Sequence, residues 1–197
     1  MLEVFALNHH RFYGDERERR KWQDAESILA SIGLRQGFTF VDVGCGEGFF
    51  TLPAAKLVGR NGKVYGLDID DEAIRRLKRK AAEENVKNLS LTAGEAEEIV
   101  LCKTCADIVF FSLVLHDFSD PAEVLINAKQ MLKPTGRLVN LDWKKEPMEL
   151  GPPLQIRFSV GHAAKLIEAA GFKIENSREA GPYHYLIIAR PLFSHAF

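Results

Sequence analysis

The sequence VDVGCGEGFF, residues 41–50, places three glycines at alternate positions between two apolar runs. An acid, Asp42, lies two positions before the first glycine, and Phe49 follows the third. Glycine adopts positive φ angles readily, and without a Cβ it lets another molecule approach the backbone closely. The pattern therefore predicts a strand that passes into a helix through a loop whose backbone N–H groups face a ligand.

Strand-like and helix-like segments alternate over the rest of the chain. Seven segments have the composition of strands, namely residues 38–44, 63–68, 89–94, 106–112, 136–143, 172–179 and 184–191. Apolar residues recur at helical spacing in residues 22–32, 74–81, 124–132 and 160–170. Alternating strands and helices are typical of a mostly parallel sheet with helices on both faces.

The last two predicted strands differ from the others, because only the residues GPY (181–183) join them. A connection this short cannot cross over a sheet, so the two strands should form an antiparallel hairpin. We therefore predict an α/β fold with a Rossmann-like, seven-stranded, mostly parallel sheet and an antiparallel C-terminal β-hairpin. A single domain is expected, in which residues 1–36 cap the site and residues 37–197 form the core.

Composition limits the classes of protein to consider. With 197 residues, 46% hydrophobic and 27% charged, the chain should fold into a globular domain. A net charge of −1 and a pI near 6.6 give no electrostatic reason to expect a nucleic acid or an anionic membrane as partner. No apolar run reaches the roughly 20 residues of a membrane-spanning helix, and the first residues lack a signal-peptide pattern. We expect a cytoplasmic protein whose three cysteines are reduced thiols.

The second predicted strand ends at Asp68, twenty positions after Gly48. Neighbouring parallel strands end at the same edge of a sheet, where ligands bind, and a carboxylate there can accept hydrogen bonds from both ribose hydroxyls. The glycine loop and Asp68 together predict an adenosine-containing cofactor, the alternative being an ordinary strand-to-helix turn. The spacing G-x-G-x-G differs from the dinucleotide fingerprint, and the absence of a following G-K-[ST] excludes a P-loop.

Several motifs, in order, resemble those of the class I S-adenosylmethionine-dependent methyltransferases. The first motif of that family is acid-x-G-x-G-x-G, as in residues 42–48. The other matching motifs are VYGLDID (64–70), GEAEEI (94–99), ADIVFFSLVLHDF (106–118) and LKPTGRLVNLDW (132–143). The likeness covers residues 38–191 and is nearest to the ubiquinone and menaquinone biosynthesis branch. It implies S-adenosyl-L-methionine as cofactor and methyl transfer by in-line displacement.

The resemblance also implies a set of cofactor-binding residues at the ends of the strands: Asp42, Gly44, Cys45, Gly46, Gly48, Asp68, Ile69, Glu95, Ala96, Phe111 and Ser112. In this set the glycine loop offers its backbone to the methionine part, and Asp42 orients the loop or the ammonium group. Asp68 binds the ribose and Ile69 covers one face of the adenine. Glu95 or the backbone of Ala96 meets the adenine amino group. Phe111 and Ser112 lie close to the sulfonium.

A catalytic base is needed only if the nucleophile carries a proton, because displacement at a sulfonium depends mainly on positioning. His116 is the candidate base, since it follows the fourth predicted strand on the ligand side and imidazole titrates near neutral pH. Asp117 would orient it. The alternative is that His116 only packs or caps its loop.

Recognition of the methyl acceptor is assigned to two segments outside these motifs. In the loop 142–159, an apolar group would form a lid: Trp143, Met148, Leu150 and Leu154. Three cations of the same loop would meet an anionic acceptor: Lys144, Lys145 and Arg157. The alternative is a plain surface connection. The N-terminal segment contributes His9, His10, Phe12 and Tyr13, and its apolar character suggests a homodimer.

Two other patterns carry less weight. Cys102 and Cys105 form a C-x-x-C without a second pair, so we expect a coincidence rather than half a zinc site or a redox pair, and no metal. The basic run at residues 74–80 continues into acids and is read as a solvated helix face. The sequence thus predicts a methyltransferase acting on a small-molecule acceptor. The alternatives are a methyltransferase acting on RNA or protein and a nicotinamide-dependent oxidoreductase.

Overall fold

The computed structural model describes residues 16–193. Its strands are β1 Thr39–Val43, β2 Lys63–Asp68, β3 Leu89–Ala93, β4 Ala106–Ser112, β5 Leu132–Trp143, β6 Phe172–Ala180 and β7 His184–Pro191. Its helices are α1 Glu16–Arg19, α2 Ala25–Ser31, α3 Thr51–Val58, α4 Asp71–Glu83, α5 Pro121–Met131 and α6 Val160–Ala169. A 3₁₀ helix, Leu115–Asp117, follows β4.

The strands form one seven-stranded sheet in the order β3-β2-β1-β4-β5-β7-β6. The pairs among β3, β2, β1, β4 and β5 are parallel, whereas β7 is antiparallel to both of its neighbours. This arrangement confirms the predicted fold class, including the C-terminal hairpin. The strand order reverses between β1 and β4, so the carboxyl ends of these two strands flank the crevice in which such sheets bind ligands.

Helix ends are set by residues that the sequence marks clearly. Asp120 caps α5 by accepting hydrogen bonds from two backbone N–H groups, and Ser159 caps α6 through the N–H of His162. Gly33 and Gly171, at φ +81° and +83°, follow the ends of α2 and α6. Both helices pack on the same face of the sheet, because their buried side chains belong to one apolar layer.

The core consists of two main apolar layers, one on each face of the sheet. On one face, α5 and α6 cover side chains such as Phe111 and Tyr185. On the other face, α2 and α3 cover side chains such as Phe40, Phe110 and Trp143. Because side chains alternate along a strand, the polar residues Asn140 and Asp142 of β5 lie on the same face as Leu138, under α5 and α6.

One expectation about the cysteines is wrong for this structure. Cys102 and Cys105 are joined in a disulfide, with their Cα atoms 6.0 Å apart, whereas reduced thiols and a coincidental C-x-x-C were expected. The turn between them brings the two side chains together, and this Cα separation suits a disulfide. Cys45 stays a buried free thiol.

Within residues 16–193, no helix is both long and apolar enough to cross a membrane. The same residues contain no group of three or more His, Cys, Asp or Glu side chains arranged to hold a metal ion.

Candidate functional site

The glycine loop that follows β1 lies at the carboxyl edge of the sheet, and its three glycines serve different purposes. All have positive φ angles, +73° at Gly44, +51° at Gly46 and +92° at Gly48. A Cβ at Gly44 would lie 2.6 Å from Val114, and one at Gly48 would overlap Leu77. A Cβ at Gly46 would meet no atom within 4 Å. The first and third glycines therefore permit close packing, and the middle one faces open space where a ligand can approach.

Asp68, at the end of β2, is tied to this loop by its side chain. Its Oδ2 accepts a hydrogen bond of 2.6 Å from the Gly46 N–H, and its Oδ1 accepts one of 2.9 Å from the Asp70 N–H. Each carboxylate oxygen has two lone pairs, so the group keeps capacity for further donors. Ile69, the next residue, is 57% exposed, which is unusual for a large apolar side chain beside a polar cleft.

Asp42 lies beneath the glycine loop and is 1% exposed. Its Oδ2 accepts a hydrogen bond of 2.6 Å from the Thr51 hydroxyl. Burial raises the pKa of this carboxyl to about 7, against the opposing influence of Thr51 and of the Arg19 charge. Burial also raises the pKa of the Cys45 thiol, so the thiol stays protonated and only the backbone of Cys45 is available to a ligand.

The loop after β3 is anchored to α5. The Asn127 side-chain amide donates hydrogen bonds of 3.1 and 2.7 Å to the carbonyl oxygens of Ala96 and Glu97. Glu95 is exposed at the rim, whereas Ala96 is buried. Asn127 fixes the loop that carries both predicted adenine contacts. No pattern in the sequence marks this role, because a single polar residue in an amphipathic helix usually faces solvent.

The end of β4 combines buried and strained residues. The Phe111 side chain points into the core and is fully buried, so only its backbone can face the crevice. Ser112 is partly exposed, and the residue after it, Leu113, has φ +61°. A positive φ is unfavourable for a bulky residue, and such outliers concentrate at functional sites.

Arg19, in the segment before the sheet, contacts one predicted cofactor-binding residue and the neighbour of another. Its guanidinium donates a hydrogen bond of 3.0 Å to Ser112 Oγ and lies 4.1 Å from the ring centroid of Phe49. The Arg19 charge also acts on Asp42. Sequence reasoning missed Arg19 because it sits in the charged run ERER, which is typical of an exposed helix.

His116 is buried in the 3₁₀ helix after β4, and its imidazole lies between two carboxylates. Nδ1 is 2.8 Å from Asp142 Oδ1, and Nε2 is 3.5 Å from Asp117 Oδ1. Burial lowers the pKa of His116, but the charge and contact of Asp142 outweigh burial, so that this pKa lies above its usual 6.5. Asp142, at the end of β5, is therefore nearer to the ring than Asp117, the partner expected from the sequence.

The loop 144–159 is organised around Arg157. The guanidinium donates hydrogen bonds to the carbonyl oxygens of four loop residues: Lys144, Glu146, Leu150 and Pro152. Arg157 is 3% exposed, so it holds the loop in shape, and the expectation that it meets an anionic acceptor is not supported. Lys144 forms an ion pair of 3.0 Å with Glu179.

The apolar residues expected to form a lid are divided. Trp143 is fully buried, and Met148 and Leu150 pack against the same core layer, whereas Leu154 is 37% exposed. Most of this group therefore belongs to the core. His9, His10, Phe12 and Tyr13 lie outside the described residues.

Comparison with known proteins gives the family. The sequence family described as "Methyltransferase domain" matches residues 34–171, which include the glycine loop, Asp68 and His116. The chain belongs to this methyltransferase domain family. A SAM dependent methyltransferase from Aquifex aeolicus has a similar structure, with a TM-score of 0.84 and 32% identity over 88% of this chain and 93% of that one. The predicted resemblance to the S-adenosylmethionine-dependent methyltransferases is confirmed.

Two curated relatives of this methyltransferase domain show how much of a longer protein it spans. It is 28% identical to the ubiquinone/menaquinone biosynthesis C-methyltransferase UbiE of Marinomonas sp. over 85% of this chain and 64% of that protein. It is 32% identical to the nocamycin O-methyltransferase of Saccharothrix syringae over 58% of this chain and 41% of that protein. The chain thus spans less than two thirds of the length of either relative.

Proposed function

We propose that the protein transfers a methyl group from S-adenosylmethionine to a small-molecule acceptor, at the carboxyl edge of the sheet between β1 and β4. The observation that supports this proposal most strongly is the hydrogen bond of 2.6 Å between the Gly46 N–H and Asp68 Oδ2. It joins the glycine loop and the carboxylate into one preformed unit. The glycine loop and Asp68 were both predicted to hold the cofactor. With the hydrogen bond formed, the open side of Gly46 still faces the crevice.

The residues at this edge fit an adenosyl sulfonium. Asp68 has lone pairs left for the ribose hydroxyls, and the exposed Ile69 side chain beside it offers an apolar surface for the adenine. The buried Asp42 carboxylate can pair with the ammonium group of the cofactor's methionine part. The Arg19 guanidinium, which contacts Ser112, can pair with the carboxylate of that same part. The bound cofactor supplies a methyl group that is already activated by its positively charged sulfur.

His116 and Asp142 supply proton transfer. The distance of 2.8 Å between His116 Nδ1 and Asp142 Oδ1 brings a carboxylate against one side of the imidazole, which favours a proton on Nδ1 and leaves Nε2 to accept a proton from the acceptor. The raised pKa makes His116 a stronger base than free imidazole, provided that the pH is high enough for it to be neutral. The surrounding core excludes water from this ring, whose side chain is fully buried.

A small-molecule acceptor is favoured over the alternatives. Both curated relatives are named for methylation of small molecules, one at carbon and one at oxygen. The net charge of −1 gives no general attraction to RNA. A nicotinamide-dependent oxidoreductase is disfavoured by the match to the methyltransferase domain family.

The segment before β1 has a place in the proposal. Residues 1–36 are proposed to cap the site on the core of residues 37–197, and the contacts of Arg19 with Ser112 and Phe49 support this role. A cytoplasmic location and a homodimer stay predictions from the sequence.

Isothermal titration with S-adenosylmethionine and S-adenosylhomocysteine tests the cofactor, and a screen with methyl-labelled cofactor over a metabolite extract tests the acceptor. We expect saturable binding of both compounds and label transferred to an extractable small molecule. A folded protein that binds neither compound, or that binds NADH instead, contradicts the proposal. Label that appears only in added RNA or protein favours a methyltransferase acting on those macromolecules.

A further inference from the structure

Beside His116 lies a group of buried polar side chains that the cofactor does not use. Asn140 and Asp142 alternate along β5 and so point to one face of the sheet, and Tyr185 lies directly opposite Asp142 on β7. Asn140 is 0%, Asp142 1% and Tyr185 2% exposed. His116 joins them through its 2.8 Å contact with Asp142.

Several atoms of this group have no hydrogen-bond partner among the described residues. They are Asn140 Oδ1, Asn140 Nδ2, Asp142 Oδ2, Tyr185 Oη and both ring nitrogens of His116. The Tyr185 hydroxyl also lies within reach of the Asn140 side chain. Asp142 Oδ2 and Asn140 Nδ2 are therefore the atoms that most need a ligand. A buried polar atom left without a partner costs about 1–3 kcal/mol, so folded proteins rarely keep several together unless something else binds them. Asp142 Oδ1, by contrast, accepts the Trp143 N–H at 2.8 Å.

The position of the group connects it to the crevice and to an open cleft. It lies at the carboxyl ends of β4 and β5, next to Leu113, whose φ of +61° marks a strained backbone. On its other side, Tyr185 lines a cleft of about 360 Å³ between the start of α6 and the hairpin. The volume is that of a small-ligand pocket.

The chemistry of these atoms defines what they can bind. Asp142 Oδ2 only accepts hydrogen bonds, so the partner must carry a donor, such as a hydroxyl. Asn140 Nδ2 donates, which requires an acceptor on the same partner. Burial raises the pKa of the Tyr185 hydroxyl, so it stays a donor that can turn to Asn140 or to an oxygen of the partner. One molecule satisfies both demands if it carries two neighbouring oxygens, at least one of them a hydroxyl.

We propose that Asn140, Asp142 and Tyr185 form the polar floor of the acceptor pocket and bind a small molecule with two adjacent oxygen functions, such as a vicinal diol or a hydroxy-carbonyl compound. This inference rests on the proposed function, because it places the acceptor beside the cofactor crevice. Bound there, the hydroxyl of the acceptor lies in the same group of side chains as His116, which is the proposed base.

Catechol is a suitable probe because it has two adjacent hydroxyls on a small ring. Binding of catechol to the protein saturated with S-adenosylhomocysteine is measured by titration for the wild type, Tyr185→Phe and Asn140→Leu. We expect at least a tenfold loss of catechol affinity in each variant, the effect of one hydrogen bond. The control Tyr183→Phe changes a neighbouring tyrosine in the turn before β7 and should leave affinity unchanged.

A second measurement separates a ligand site from a structural network of buried water. If the polar atoms await a ligand, Tyr185→Phe and Asn140→Leu should keep or raise the melting temperature of the ligand-free protein, since each removes an unsatisfied group. A melting temperature lowered by several degrees with catechol affinity unchanged overturns the proposal, and so does the absence of saturable catechol binding. Failure of the wild type to bind S-adenosylhomocysteine is a different result, which overturns the proposed function and this subsite with it.

Discussion

The two halves of the carboxyl edge treat their polar groups in opposite ways. At the ends of β1 and β2, both oxygens of Asp68 accept hydrogen bonds from backbone N–H groups, at 2.6 and 2.9 Å. At the end of β5, the buried atoms Asn140 Nδ2 and Asp142 Oδ2 have no hydrogen-bond partner within residues 16–193. The cofactor half is largely preformed, although Asp42 Oδ1 also lacks a partner there, whereas the other half needs a bound molecule to satisfy a whole group of polar side chains.

The two halves should therefore bind their ligands in different ways. A preformed cradle holds its ligand without rearrangement, so binding loses little conformational freedom. A group of unsatisfied polar atoms lowers the stability of the free protein and recovers it when the right partner binds. Variants in the first half should therefore change cofactor affinity, and variants in the second half should change turnover of the acceptor.

The largest effect is expected in the acceptor half. His116→Gln removes the proposed base and should lower kcat about 10²- to 10⁴-fold in the methyl-transfer assay, with S-adenosylhomocysteine affinity within twofold of wild type. His162→Gln, an exposed histidine of α6, is the control and should retain full activity. Wild-type kcat in His116→Gln would show that the acceptor needs no base and would remove this role from His116.

The pH dependence sharpens the same comparison. Because the Asp142 charge raises the pKa of His116 above 6.5 in the folded protein, the rate should rise with pH through that higher pKa. The same pair stabilises the fold fully below pH 6.5, and this contribution is lost as pH rises through the folded pKa. Asp142→Asn should shift the rate profile toward lower pH. An unshifted profile would mean that Asp142 does not act on the ring.

Within the cofactor half, the glycines should separate stability from binding. Gly48→Ala places a methyl group against Leu77 at φ +92° and should destabilise the fold by about 2–4 kcal/mol. Gly46→Ala meets no atom within 4 Å and should cost about 1–2 kcal/mol from its positive φ alone, yet weaken cofactor binding. Denaturant unfolding and titration measure the two effects. Equal stability losses would contradict the assignment of Gly46 as the ligand-facing glycine.

Asp42 should couple cofactor binding to pH. Its pKa of about 7 means that much of the free protein carries a protonated carboxyl at neutral pH. An ammonium group favours the ionised form, so binding should release a proton, and S-adenosylhomocysteine should bind about tenfold more weakly at pH 6 than at pH 8. The raised pKa also means that Asp42 reduces the stability of the free fold as pH rises from about 4 to 7. Asp42→Asn should abolish the pH dependence of both cofactor affinity and stability. If cofactor affinity in that variant still falls at low pH as in the wild type, another group is responsible.

The smallest effect is expected far from either half. Cys105 immediately precedes β4, so the disulfide with Cys102 lies at the opposite edge of the sheet from the crevice. Replacing both cysteines by serine should leave cofactor affinity within twofold of wild type by titration. A larger loss would show that the loop after β3, which carries Glu95 and Ala96, depends on this bond.

The strands and the glycine loop could be predicted from the sequence because their signals are local. The spacing of Gly44, Gly46 and Gly48 and the distance to Asp68 do not depend on strand order. The helix caps at Asp120 and Ser159 depend on an equally local signal, a capping side chain just before the helix. Local patterns thus sufficed for the cofactor half of the edge.

The acceptor half could not be predicted in the same way, because its contacts join residues distant in the chain. His116 meets Asp142 only because β4 pairs with β5, and Tyr185 reaches them only because β7 inserts beside β5. One sequence signal for this half does exist. In the strand segment LVNLDW, the polar residues Asn140 and Asp142 alternate with apolar ones, which marks a polar stripe on a face that helices cover.

The cofactor cradle formed by the glycine loop and Asp68 is tested most directly by titrating S-adenosylhomocysteine into the wild type, Asp68→Asn and the control Asp71→Asn. Asp68 contacts the loop through Gly46, whereas Asp71 is exposed and pairs with Arg75 on α4. We predict that Asp68→Asn weakens binding about 10- to 100-fold, the range for a hydrogen bond to a charged group, and that Asp71→Asn stays within twofold of wild type. Equal affinity in all three proteins would show that the nucleoside binds elsewhere and would contradict the account.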